Sequence, residues 1–180
     1  TSRGLGDVYK RQVLVAMALI EDVNNKVGQH VLKNDYWASV GEKVVRCHLP
    51  YGDYQLPAPI VVDTKRSVDE LAANIDNDHV RFRNACILAR ECGSKLVILT
   101  ENDLGIRSLN DLTRWENPRN SINEKKGLRP PISGLRLAKA CATMERKYGV
   151  KFEFCAPSEA GERVMEILKG GGKHGGNDDA

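Results

Sequence analysis

The 180-residue chain is the size of one globular domain, and 41% hydrophobic against 28% charged residues points to a folded core rather than global disorder. Its longest apolar run, residues 13–20, is too short to cross a bilayer. Five cysteines without a Cys-x-x-Cys and a net charge of only +3 argue against a disulfide scaffold, fit a reducing cytoplasm, and give no global electrostatic case for a nucleic-acid partner.

In chain order, residues 2–12 (SRGLGDVYKRQ) read as a translated transposon-based sequencing adapter, with Asp7 to Gln12 corresponding to GAT-GTG-TAT-AAG-AGA-CAG. They are set aside as an artefactual leader, 1–12. They hold Arg3, Lys10 and Arg11 against Asp7, so without them the net charge falls to +1. Residues 13–20 have the length of a central strand buried on both faces, and 21–26 are polar. A helix over 29–40 stops at Gly41. Residues 43–49 alternate as a second strand. Pro50-Tyr51-Gly52-Asp53 is a turn by composition, and strands at 54–56 and 60–65 follow it.

Ser67-Val68-Asp69-Glu70 matches a capping box, with Ser67 as N-cap and Glu70 reaching back to it. A second helix over 78–91 turns Phe82, Cys86 and Ala89 inward, and KLVILT at 95–100 is a buried strand. A short helix at 108–115 leads into a long polar stretch, 116–132, that reads as loop. A helix at 133–148 ends at Gly149, followed by a strand at 150–154 and a helix at 158–168. The Gly-rich tail, 169–180, has a disordered composition. The interleaving predicts one α/β domain over 13–168, with helices flanking a mixed sheet.

The chemistry concentrates between Gly52 and Asp69. Asp63 and Lys65 stand two apart on one strand, so both leave the same face. Asp53 sits in the turn before the neighbouring strand, and Asp69 opens the following helix. Two carboxylates are the ligand set that Mg2+ takes together with water and phosphate, and Mn2+ is an alternative ion. A metal so held activates water and clamps a phosphate oxygen, and an ammonium beside it offsets charge building on phosphorus. Taken singly, Gly-Asp is an ordinary turn, Asp-x-Lys an ordinary strand edge, and Asp69 is explained by the helix dipole. Zinc would need clustered Cys and His, and His30, His48, His79 and His174 are scattered.

The order Gly52-Asp53, gap, Asp63-Thr64-Lys65, three residues, Asp69 resembles the XPF-type branch of the PD-(D/E)XK nucleases. That family carries Gly-Asp, a gap, Glu-Arg-Lys, three residues and Asp. The resemblance spans residues 13–168 and is greatest to compact stand-alone versions from bacteriophages and prophages. It implies a restriction-endonuclease-like fold and a Mg2+-dependent endonuclease for branched or forked DNA in replication, recombination or repair, working in the bacterial cytoplasm if phage-encoded. It assigns the metal to Asp53 and Asp63, catalytic support to Lys65, and a lesser site role to Asp22 and Asp69. It leaves a homodimer open. The chain departs from the family at Asp63 (for Glu), at Thr64 (for Arg, with Arg66 as the nearest substitute) and at Asn24, where the first motif has a cation. No helix-hairpin-helix module is visible.

DNA contacts are expected from Arg66, from Arg81 and Arg83 beside the inward Phe82, and from Arg119, Lys125 and Lys126 in the long polar stretch. Arg114, Arg129, Arg136 and Lys139 add further basic character nearby. Contacts of this kind give salt-sensitive, sequence-independent affinity. Trp115 reads as a core anchor. The rival readings are an inactive DNA-binding module of the same fold, an assembly subunit for a partner nuclease, and a restriction enzyme with a defined site.

Overall fold

The computed structural model describes residues 18–56 and 59–170. Six strands form one mixed sheet in the order β2-β1-β3-β4-β5-β6. They are β1 (Leu19–Asp22), β2 (Val44–Cys47), β3 (Tyr54–Gln55), β4 (Ile60–Lys65), β5 (Lys95–Glu101) and β6 (Lys151–Cys155). β1 is parallel to β2 and antiparallel to β3, β3 is antiparallel to β4, and β4, β5 and β6 run parallel. The helices are α1 (Val31–Ser39), α2 (Val68–Asp76), α3 (His79–Glu91), α4 (Leu109–Leu112), α5 (Asn120–Lys125), α6 (Gly134–Tyr148) and α7 (Ala160–Leu168). None of the described helices is long and apolar enough to cross a membrane.

Strand periodicity sorts the core into two layers. Val61 and Ile98 face α2, α3 and α6, packing with Leu71, Phe82, Leu137 and Cys141. Val62, Val97 and Leu99 face the other way, packing with Trp37 of α1 and Val164 and Met165 of α7. This alternation decides where the chemistry lies. Asp63 and Lys65 share the Val61 face, and Thr64 shares the Val62 face. β5, buried along nearly all its length, is the doubly covered strand that KLVILT predicts.

Several expectations need correction. The first strand runs through Glu21 and Asp22, which were read as the start of a polar stretch. Pairing of both residues to β2 keeps the ladder going where composition alone suggests a break, and residues 13–17 of the expected strand lie outside the described residues. The 116–132 stretch is not all loop, because it contains α5. Buried Asn117 fastens that segment. Its Nδ2 donates to the Ile132 carbonyl at 3.0 Å and its Oδ1 accepts from Arg119 N at 3.0 Å. At the α2 cap, Ser67 Oγ accepts from Glu70 N at 3.1 Å as expected, but the Glu70 carboxylate accepts from Arg66 N at 2.9 Å rather than from Ser67. The last helix begins at Ala160, two residues after the expected 158, following a 3-10 turn at Pro157–Glu159. The expected leader 1–12 lies outside the described residues, as does the expected tail from residue 171 onward.

Trp115 is buried in the α2/α3/α6 layer, which agrees with a core anchor.

Candidate active site

The Gly-Asp turn is what brings the acids together. Gly52 has φ +73, and a Cβ there would meet Val61 Cγ1 at 2.2 Å and the Val62 carbonyl oxygen at 3.1 Å. Only glycine lets the turn lie this close against β4. The seated turn is then locked by backbone bonds. Asp53 N donates to the Val62 carbonyl at 2.7 Å, and Asp22 N donates to the Asp53 carbonyl at 2.8 Å. The turn thereby sets Asp53 beside the Asp63 end of β4, with Asp22 at the end of the neighbouring β1. All three line one open cleft of about 480 Å³ with Lys65, His48, Asn74, Arg81 and Phe82.

Each group is held by a specific partner. Asp53 Oδ2 accepts from Thr64 N at 2.7 Å and from Thr64 Oγ1 at 2.6 Å, which leaves Oδ1 without a hydrogen bond among the described residues. Burial first, and the neighbouring Asp63 second, push the Asp53 carboxyl up from 3.8 to about 6. The Thr64 bonds oppose that rise. Lys65 Nζ donates to Asp63 Oδ1 at 2.6 Å and lies 5.6 Å from the Phe82 ring centre. Burial alone would lower Lys65, but Asp63 together with Asp53 and Glu70 more than offsets it, so Lys65 is raised and stays an ammonium. Asp22 accepts from Leu49 N at 3.2 Å and from the Asn24 amide at 3.0 Å.

The remaining sequence-predicted residues are divided. Asp22, Asp53, Asp63, Lys65 and Arg81 line the cleft. Asp69 lines a different depression, with Leu104, Ile106, Asp111, Arg114 and Trp115. Arg66 is exposed and pairs with Glu70 at 3.5 Å. Arg83 is exposed on α3 and is not part of the cleft lining. Arg119 lines a third depression with His79, Asn123 and Arg129, and Lys125 and Lys126 are exposed at the end of α5.

Sequence reasoning missed three groups at the site and a fourth, a buried cation, outside it. Thr64 appeared only as a lost arginine, although a hydroxyl beside a turn carboxylate is a natural anchor. His48 and Asn74 gave no signal beyond polarity. The fourth is Lys33 of α1, buried on the opposite face of the sheet and ion-paired to Glu101 at the end of β5. Its Nζ also lies 3.3 Å from His30 Nδ1. Burial and then Lys33 hold that imidazole down at about 4, so it is neutral.

Among the described residues, no three His, Cys, Asp or Glu side chains are arranged to enclose a metal ion. The Asp53–Asp63 pair is instead an open, two-carboxylate set of hard oxygens. That set suits an ion which keeps most of its waters, as Mg2+ does, and does not suit a caged zinc.

A mixed six-stranded sheet with helices on both faces is an α/β fold. Within that class the fold is of the XPF nuclease type. XPF from Aeropyrum pernix superposes with a TM-score of 0.57 at 17% identity, over 86% of this chain and 66% of that one. XPF from Aeropyrum pernix in complex with DNA gives 0.56 at 18%, over 84% and 63%. The chain therefore spans just under two thirds of the length of these relatives. No protein-family model and no curated protein matches its sequence.

Proposed function

We propose that the chain is a metal-dependent DNA endonuclease domain that hydrolyses phosphodiester bonds, selecting branched or forked DNA during phage replication, recombination or repair. The observation that carries the reading is the meeting of Asp53, Asp63 and Lys65 in one open cleft. The fold of a nuclease that has been solved with DNA supports DNA as the partner.

Asp53 Oδ1 and the Asp63 carboxylate would hold Mg2+, or Mn2+ in its place. When bound, the ion supplies an acidified water and a positive clamp on a phosphate oxygen. Thr64 fixes Asp53 so that Oδ1 stays turned away from its own anchor. Two carboxylates this close repel one another, and a cation between them removes that cost. Lys65, kept protonated by Asp63, neutralises charge on the phosphate as it becomes pentacoordinate. Phe82 walls the ammonium from one side and concentrates its field toward the cleft. Arg81 on the rim adds a backbone contact.

A second reading is an inactive DNA-binding module of the same fold. It is favoured by the lack, among the described residues, of a third carboxylate enclosing the Asp53–Asp63 pair and by Asn24. Cleavage of fork, flap and linear DNA with Mg2+ separates the two. The nuclease reading expects metal-dependent cutting by the wild type and a loss of at least 100-fold, on the order of one charge-stabilising group, in Asp63→Ala. Cutting that persists in Asp63→Ala overturns the site. DNA binding with no cutting by the wild type supports the inactive module.

A further inference from the structure

We propose that His48 is a DNA-contacting residue of the cleft, its imidazole donating to a backbone phosphate next to the one held at Asp53 and Asp63; this rests on the nucleic-acid reading above. His48 follows β2 and lines the same cleft as the acids and Lys65. Its Nδ1 lies 3.7 Å from Asp22 Oδ1 and 3.5 Å from the Asn24 amide nitrogen. Asp22 is itself fixed, since both its oxygens accept from Asn24 Nδ2, at 3.3 and 3.0 Å, and Oδ1 also accepts from Leu49 N at 3.2 Å. One edge of the ring is therefore steered by a rigid polar pair. The rest is open, with the His48 side chain 71% exposed, so the imidazole leaves its other nitrogen free for whatever occupies the cleft.

That nitrogen is a donor in the neutral tautomer whose Nδ1 accepts from Asn24, and in the protonated ring. In a neutral ring whose Nδ1 accepts from Asn24, the proton sits on Nε2. In a protonated ring paired to Asp22, both nitrogens carry one. A phosphate oxygen, which only accepts, is matched to this edge in both cases. Distance decides which phosphate. Asp22 ends β1, and β1 lies two strand spacings, roughly 10 Å, from β4. An imidazole over that flank is too far for a hydrogen bond to a phosphate held at Asp63 and Lys65. It suits the next phosphate along the same strand, entering from the β1–β2 side, in the cleft that Arg81 of α3 also lines.

The test uses the full chain and a set of short DNA strands, each carrying one neutral methylphosphonate, with binding followed by fluorescence anisotropy and cleavage by single-turnover assay in Mg2+. His48→Ala is expected to weaken DNA binding about tenfold, the lower end for a hydrogen bond to a charged group. One methylphosphonate position should weaken the wild type by a similar factor and leave His48→Ala unaffected. His48→Gln, whose amide nitrogen takes the place of Nε2, should recover most of the loss. An unchanged melting temperature shows that the variants fold. Binding by His48→Ala within twofold of wild type, or losses that multiply at every methylphosphonate position, overturns the proposal. If the wild type binds DNA without cutting it, the catalytic reading fails, and the interference pattern in binding still decides for or against His48. If the wild type binds no DNA, both fall together.

Discussion

Replacing Asp53 with asparagine should make the metal-free protein more stable while destroying its site. Asp53 titrates near 6 in the folded chain against an ordinary 3.8, so between those pH values the folded state holds a proton that the unfolded state has released. Stability therefore falls as pH rises through this window, and the cost is complete above it. A difference of this size corresponds to about 2–3 kcal/mol. Asp53→Asn keeps an amide oxygen that can accept from Thr64 N and Oγ1, and it turns an N–H toward Asp63 in place of a negative charge. In EDTA at pH 7.5 the variant should melt roughly 5–10 °C above wild type, and the gap should close toward pH 4. Millimolar Mn2+ should stabilise the wild type and leave the variant unmoved. Scanning calorimetry across pH, with and without Mn2+, reads all three effects. A variant that is no more stable than wild type at pH 7.5 in EDTA would show that Asp53 is not a strained carboxylate, and the electrostatic account of the site would fail.

Gly52→Ala should cost about 2–4 kcal/mol in urea denaturation, because it combines a strained positive φ with a Cβ driven into Val61; any residual nuclease rate should fall with it, since Asp53 is carried on the same turn. Lys33→Met strands the buried Glu101 carboxylate and should destabilise by about 3–5 kcal/mol, whereas Lys33→Met combined with Glu101→Leu should regain most of that; equal losses in the single and double variants would remove the ion pair from the argument. Thiol titration of the native protein with Ellman's reagent should count two fast groups, Cys47 and Cys92, which are exposed. Cys86, Cys141 and Cys155 are buried, with burial pushing each thiol up to about 12, and should react only on unfolding.

The parts of this molecule that could be read from sequence are those where local chemistry and tertiary need coincide. The 60–65 strand, the Ser67 cap and the 134–148 helix with its Gly149 stop carry their signals within a few residues, and each stands within a residue of where it was placed. The convergence of Asp53 with Asp63 was legible because a turn and an alternating strand have fixed geometry. What was not legible depends on contacts distant in sequence. Asp69, only four residues from Lys65, lines another depression, a placement that spacing alone does not encode. Lys33 and Glu101 are 68 residues apart, and neither looks unusual alone. α5 escaped notice because its six residues bury nothing, so no apolar period marks it.

Thr64 also changes how its own substitution should be understood. Read in sequence, the missing arginine asks for a replacement cation, and Arg66 stands nearest. In the fold Arg66 is exposed and committed to Glu70, so it does not enter the cleft. On the Val62 face, buried carboxylate at the end of β5 is Glu101, and its cation is Lys33, reaching in from α1. A guanidinium at position 64 would therefore enter a region already neutralised by Lys33, and would remove the hydroxyl that bonds Asp53. Thr64→Arg should for this reason fail to improve the protein. It should lower stability by the cost of an unpaired buried charge, a few kcal/mol, and weaken Mn2+ binding by releasing Asp53 Oδ2. Thr64→Arg joined to Lys33→Met should recover stability, because one cation then replaces the other beside Glu101, while Mn2+ affinity stays reduced. If the double variant is no more stable than Thr64→Arg alone, the two positions do not share a counter-charge and Lys33 is no substitute for the absent arginine.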